Sequence, residues 1–155
     1  MKLITLDSQT LNNLITIEND ESDDIWQAEK FSGSFVKPYL GWLAINSVSD
    51  STTKNKNGIG YLLVQDCIDF IDIIRIKTHF TYRRQGVAQF LMQQLIMHAN
   101  KTHQRIMLEV RESNIPAIQL YFSFGFKQID IRRHYYLKND GREDALILQY
   151  SAHSN

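Results

Sequence analysis

Between residues 70 and 110 the chain sets out a strand, a basic glycine turn, a long helix and a second strand in unbroken succession, and no other stretch limits its fold as tightly. In residues 70–78, Ile71 and Ile73 share one face with Arg75 and Lys77, while Ile74 and Ile76 share the other with Asp72 and Thr78. From residue 85 to residue 101, Ala88, Leu91, Leu95 and Ala99, flanked by Phe90 and Ile96, recur at helical spacing and predict an amphipathic helix. Residues 106–110 are apolar and of strand length. A long helix between two strands returns the chain to a parallel neighbour by a right-handed crossover, so an α/β fold is expected.

The flanking segments extend this unit. Residues 2–6 alternate as a strand, and Asp7 is placed to cap a helix with Leu11, Leu14, Ile15 and Glu18 on one face. A short helical segment is expected around residues 26–31, after the acidic run at 18–24, which reads as a solvated edge or as a rim facing a basic substrate. Residues 39–45 and 58–64 read as paired strands of a hairpin across a polar loop at 46–57. Asn114 can cap a further helix that tolerates Pro116 in its first turn and ends at Gly125. Residues 126–133 and 145–150 complete the pattern as strands joined by a loop containing Asn139-Asp140-Gly141, a turn signal.

Composition narrows the function. At 155 residues one domain is expected, spanning 1–155 with one site. Seventeen basic residues balance 17 acidic ones, so no overall field draws the chain to nucleic acid or an anionic membrane. The first residues lack the apolar block of a signal peptide and no apolar stretch reaches membrane length, so a cytoplasmic location is expected, with the chain a monomer or weak homodimer. Cys67 has no second cysteine to pair with and reads as a half-buried strand thiol. His98 and His103 are five apart, off the spacing that would put two ligands on one helical face, and no metal is expected.

The chemistry concentrates in Arg83-Arg84-Gln85-Gly86-Val87-Ala88, between strand and helix. Its glycine lets backbone approach a ligand, and the unpaired N–H groups of a first helical turn carry partial positive charge, which together make an anion cradle. A plain basic turn entering a helix is the other reading of these six residues alone. They match neither a dinucleotide fingerprint nor a Walker loop, because the further glycines and the Lys-Ser/Thr are missing.

Arg83-x-x-Gly86-x-Ala88 after a strand resembles the pyrophosphate-binding motif of the GNAT acetyltransferases, and so implies acetyl-CoA. Residues 108–114, Leu-Glu-Val-Arg-Glu-Ser-Asn, followed by Ala117-Ile118-Gln119-Leu120-Tyr121 and Gly125-Phe126, are similar to that family's second signature. The tail, Ile131-Arg132-Arg133-His134-Tyr135-Tyr136 and then Asp140-Gly141-Arg142-Glu143-Asp144-Ala145, is similar to elements of the family members that acetylate protein N-termini, above all those acting on a ribosomal-protein alanine.

The resemblance implies a GNAT fold: a central mixed, mostly antiparallel sheet of about seven strands, four helices, and a splayed parallel strand pair holding the cofactor. By the same carry-over the backbone of Ile76, Lys77 and Thr78, the loop Arg84, Gln85, Gly86, Val87, Ala88 and Gln89, and Asn114 bind acetyl-CoA. Glu109 becomes the general base and Tyr121 the general acid, while Trp26, Tyr135 and Tyr136 touch the acceptor. The implied partner is the N-terminal peptide of a ribosomal protein, with transfer to the N-terminal alanine of small-subunit ribosomal protein eighteen.

An α-amino group has a pKa of about 7.7 to 8.0, so a base must remove a proton before the nitrogen attacks the thioester; a phenol at the sulfur can then protonate the departing thiolate. Glu109 lies in an apolar run, where burial would make it a better acceptor. Without the resemblance, Glu109 reads as a strand-end residue paired with Arg111, and Tyr121 as core packing. Direct transfer in a ternary complex fits an amine nucleophile better than an acetyl-enzyme. The same motifs also fit an acetyltransferase of small-molecule amines or antibiotics, or a non-catalytic acetyl-CoA-binding module. Arg75 and Lys77 depart from the family, which usually has small or apolar residues there, as does His79-Phe80-Thr81-Tyr82, where it often has a proline.

Overall fold

The computed structural model describes residues 1–19, 26–31, 33–46, 57–102 and 104–152. Most of the acidic run and of the polar loop, and His103, lie outside them. The elements are β1 (Lys2–Thr5), α1 (Leu11–Glu18), β2 (Tyr39–Ile45), β3 (Gly58–Asp66), β4 (Phe70–Thr78), α2 (Val87–Thr102), β5 (Arg105–Arg111), α3 (Ile115–Ser123), β6 (Lys127–Lys138) and β7 (Gly141–Tyr150). They form a seven-stranded sheet in the order β1-β2-β3-β4-β5-β7-β6. The expected parallel neighbours are β4 and β5, registered Phe70↔Arg105, Ile71↔Ile106 and Asp72↔Met107, whereas β1–β2, β2–β3, β5–β7 and β6–β7 are antiparallel. Among the described residues no helix is long and apolar enough to cross a membrane.

The chain divides into two compact units, residues 1–66 with 74–94, and residues 67–73 with 95–155. The first is centred on a cluster of Leu6, Leu14, Ile17, Phe31, Leu43, Ile45, Tyr61 and Leu63. Asp7 caps the chain as expected, but over a 3-10 turn at Ser8–Thr10: its carboxylate accepts from the Thr10 amide at 3.0 Å, and α1 follows directly. Ile17, outside the predicted apolar face, is fully buried there, while Ile15 is only partly so. The second expected helix is a single 3-10 turn, Ala28–Phe31, which buries Phe31.

In the second unit β5 alternates cleanly. Ile106, Leu108 and Val110 are buried, and Met107, Glu109 and Arg111 on the opposite face are half-buried. Asn114 caps α3 by accepting from the Ala117 amide at 3.3 Å, Pro116 sits in the first turn, and Gly125 leaves the helix with φ +86°. Tyr121, Phe126 and Tyr150 pack in sequence as tilted rings with centroids 5.6 Å apart at each step.

Two sequence expectations change. The last two strands are longer than predicted: β6 runs to Lys138 and β7 starts at Gly141, so the expected loop shrinks to a tight turn. The strand continues because the register shifts between Arg132 and Tyr136, where His134 takes φ +54° and its amide donates to Asp144 at 2.8 Å. Cys67 is half-buried but lies just past the end of β3 rather than in a strand, its amide donating to the Phe70 carbonyl at 2.9 Å.

Candidate active site

In the first unit, β4 ends at Thr78 and leads through a 3-10 turn, Phe80–Tyr82, into the basic segment. Arg84 and Gly86 both take positive φ, +59° and +80°. The helix starts later than residue 85, at Val87, because the chain is still in this turn; the Phe90 amide donates back to the Gly86 carbonyl at 2.9 Å. Val87, Ala88 and Gln89 therefore supply the first-turn N–H groups that an α-helix leaves without intrahelical acceptors. A Cβ built on Gly86 would meet nothing within 4 Å, so the turn has an open flank, and Arg83, Arg84 and Gln85 are exposed beside it. Such a turn fits a diphosphate. Gly60 matters for a different reason: a Cβ there would come within 2.6 Å of Val87 and 2.9 Å of the Lys77 carbonyl, so β3 lets the end of β4 and the start of α2 approach closely.

Arg75 and Lys77 find a specific counter-charge. The Glu18 carboxylate, at the end of α1 with its side chain 1% exposed, accepts from Arg75 Nη2 at 2.7 Å and Nε at 3.0 Å, from Lys77 Nζ at 3.4 Å, from Tyr61 Oη at 2.5 Å and from the Trp26 amide at 3.1 Å. Burial alone would raise this carboxyl, but the hydrogen bonds of Arg75, Tyr61 and Trp26 outweigh it and hold Glu18 below the usual carboxylate range. Arg75 also lies over the Trp26 ring, 5.1 Å from its centroid. The anchoring of Trp26 was not readable beforehand; its only signal was Glu18 at helical spacing with the apolar residues of α1.

In the second unit, Glu109 projects from β5 and pairs with Arg132, Nη1 to Oε1 2.9 Å, not with Arg111. Arg111 instead reaches Glu143 at 2.7 Å and lies 4.3 Å from the Tyr136 ring centroid. Glu109's side chain is 28% exposed, so it is not the desolvated carboxylate that the apolar run suggested. The carboxyl that burial lifts is Asp72, a residue the sequence did not single out: desolvation and then the Glu109 charge push it to about 6, against the pull of Arg132. Tyr121 on α3 is 5% exposed, and burial, helped by Tyr136, raises its phenol above the ordinary tyrosine range, so it keeps its proton at neutral pH.

Tyr135 and Tyr136 stand edge to face, centroids 5.0 Å apart, with Tyr135 45% exposed and Arg132 5.2 Å from its ring. Asp144 anchors the bulge before them, accepting from the His134 amide and from Arg133 Nη1, bonds that hold its carboxyl below the usual range. Glu143 is lowered likewise by Ser113 and Arg111. The Glu-Asp of the tail motif is thus structural support for the aromatic pair. Among the described residues no group of three or more His, Cys, Asp or Glu is arranged to hold a metal ion.

Residues 52–126 match the model of the acetyltransferase (GNAT) family. The ribosomal protein bS18-alanine N-acetyltransferase of Escherichia coli strain K12 is 34% identical over 124 residues, 79% of this chain and 78% of that protein. The chain belongs to the GNAT acetyltransferase family. A crystal structure of the ribosomal-protein-S18-alanine N-acetyltransferase from Escherichia coli superposes with a TM-score of 0.86 at 29% identity, covering 99% of this chain and 96% of that one. Arabidopsis thaliana NAA60 in complex with acetyl-CoA has the same fold, with a TM-score of 0.80 at 20% identity over 97% of each chain. As a GNAT enzyme, the chain is an acetyl-CoA-dependent N-acetyltransferase.

Proposed function

We propose that this GNAT enzyme acetylates protein N-termini in the cytoplasm, as a single domain and without a stable partner chain, and that its acceptor is the N-terminal alanine of ribosomal protein bS18. The observation that carries this reading is the 34% identity over more than three quarters of both chains to a bS18-alanine N-acetyltransferase. The tail signature, with its supported Tyr135–Tyr136 pair, adds to it.

We assign the grip on acetyl-CoA to the backbone of Ile76, Lys77 and Thr78, to the loop from Arg84 to Gln89, and to Asn114. Acetyl-CoA supplies an activated acyl group. Glu109 accepts one proton from the acceptor's ammonium, leaving a neutral amine whose lone pair forms the new C–N bond. Tyr121 gives its phenolic proton to the thiolate as the C–S bond breaks, a role supported by its remaining protonated at neutral pH. The nitrogen, positive once its C–N bond has formed, gives up its surplus proton to restore the phenol through solvent and leaves as the neutral amide, while Glu109 returns its proton to water. Trp26, Tyr135 and Tyr136 position the acceptor, and Cys67 takes no part.

The test is turnover of purified enzyme with acetyl-CoA and, in competition, a peptide carrying the bS18 N-terminus, a polyamine and an aminoglycoside. The peptide is expected to consume most of the acetyl groups. Preferential acetylation of either small amine would overturn the acceptor assignment.

A further inference from the structure

The strand register of the second unit brings three charged side chains to one face of the sheet. Asp72 of β4 is registered with Met107, and Glu109 lies two residues further along β5, so the pleat turns both carboxyls the same way. Arg132 is registered with Ala145, and Ala145 with Arg111, which puts Arg132 on that face as well, 2.9 Å from Glu109. Other charged or titratable side chains on the face are Arg105 and Arg111 of β5, Glu143 of β7, and Lys127, Asp130, Tyr136 and Lys138 of β6. Arg111 and Glu143 neutralise each other at 2.7 Å, and Asp130 accepts from the Ile131 amide at 2.8 Å.

We propose that Asp72 and Arg132 are opposed positioning residues for Glu109: Asp72 sets a second negative charge on its face of the sheet, which favours the transfer of a proton to it, and the ion pair with Arg132 holds the carboxylate in place until the acceptor arrives. The inference rests on the assignment of Glu109 as the base. Coupling between two ionisable groups is reciprocal, and Asp72 already responds to both partners, rising with the Glu109 charge and falling with that of Arg132. Asp72 and Glu109 are half-buried, which makes the coupling between these two stronger than between exposed groups, whereas Arg132 is 51% exposed and its pull is screened by solvent. The arrangement solves a conflict in the chemistry. A base must bind a proton well enough to take it from an ammonium, yet be free of one beforehand.

The experiment follows the carboxyl carbons of Glu109 and Asp72 by NMR across a pH titration of the full chain, in the parent protein and in Asp72→Asn and Arg132→Gln. Asp72→Asn is nearly isosteric and removes a carboxyl whose charged form burial disfavours, and Arg132 is 51% exposed, so both variants are expected to fold. Asp72→Asn should lower the Glu109 midpoint and Arg132→Gln should raise it, the second by less because Arg132 is 51% exposed. The acid limb of kcat should move the same way, with KM for acetyl-CoA unchanged. A Glu109 midpoint that stays put in both variants, or moves in one direction in both, overturns the proposal. Glu109→Gln separates the two levels: if it leaves kcat intact, the base assignment itself fails, whereas a large loss of kcat together with an unmoved Glu109 titration removes only the tuning.

Discussion

Tyr61 Oη lies 2.5 Å from Glu18 Oε1, tying the middle of β3 to the last residue of α1 inside the first unit's core. Burial and the neighbouring Glu18 charge push the Tyr61 phenol well above its ordinary range, so the bond keeps its proton on Tyr61. Tyr61→Phe should cost about 1.5–3 kcal/mol in urea unfolding near neutral pH, the usual range for losing a hydrogen bond to a charged group. Glu18 is held below the usual carboxylate range, so its contribution is present above the ordinary value of 4.5 and is lost as pH falls through the folded-state value. The stability deficit of Glu18→Gln should accordingly shrink in acid.

Gly86→Ala tests the cofactor turn. The new Cβ meets nothing within 4 Å, so the cost is backbone strain at φ +80° alone, about 1–2 kcal/mol of stability. A strained or shifted turn re-aims the amides of Val87 and Ala88. Calorimetry should therefore show acetyl-CoA binding weakened several-fold while kcat at saturating cofactor changes much less.

Glu109→Gln and Tyr121→Phe remove the proposed proton acceptor and donor. Each should lower kcat by about 10²- to 10⁴-fold while leaving acetyl-CoA affinity nearly intact, read from steady-state rates beside equilibrium binding. Parent-like rates in both would remove the mechanism.

Asp144→Ala frees the His134 amide and the Arg133 guanidinium, and with them the bulge that presents Tyr135 and Tyr136. The peptide KM should rise several-fold with KM for acetyl-CoA unchanged; an equal rise in both would mean that the tail supports the whole fold rather than the acceptor side.

Much of this architecture was legible in the amino-acid order. Residues 39–45 and 70–78 read as strands to the residue, because alternation and bounding polar segments act locally. The parallel β4–β5 pair followed from the long helix between them. The β6–β7 hairpin was underestimated because its bulge depends on Asp144, ten positions from His134, accepting an amide that would otherwise lack its partner. Side-chain partners were the least legible. Whether Glu109 meets Arg111 or Arg132 is decided by the registers of β5, β7 and β6 together, and Asp72 joins them only once the parallel register is fixed. The motifs named Glu109 and Tyr121 as a set; their surroundings came from the fold.

The most direct measurement is tandem mass spectrometry of a peptide that begins with alanine and carries an internal lysine, after incubation with purified protein and acetyl-CoA. The account predicts one added acetyl group, on the α-nitrogen of the first residue, and about a hundredfold less of that product, or lower, when Glu109→Gln replaces the parent enzyme in the same incubation. An acetyl group on the lysine side chain alone, or an unmodified peptide beside an enzyme that binds acetyl-CoA, would contradict it.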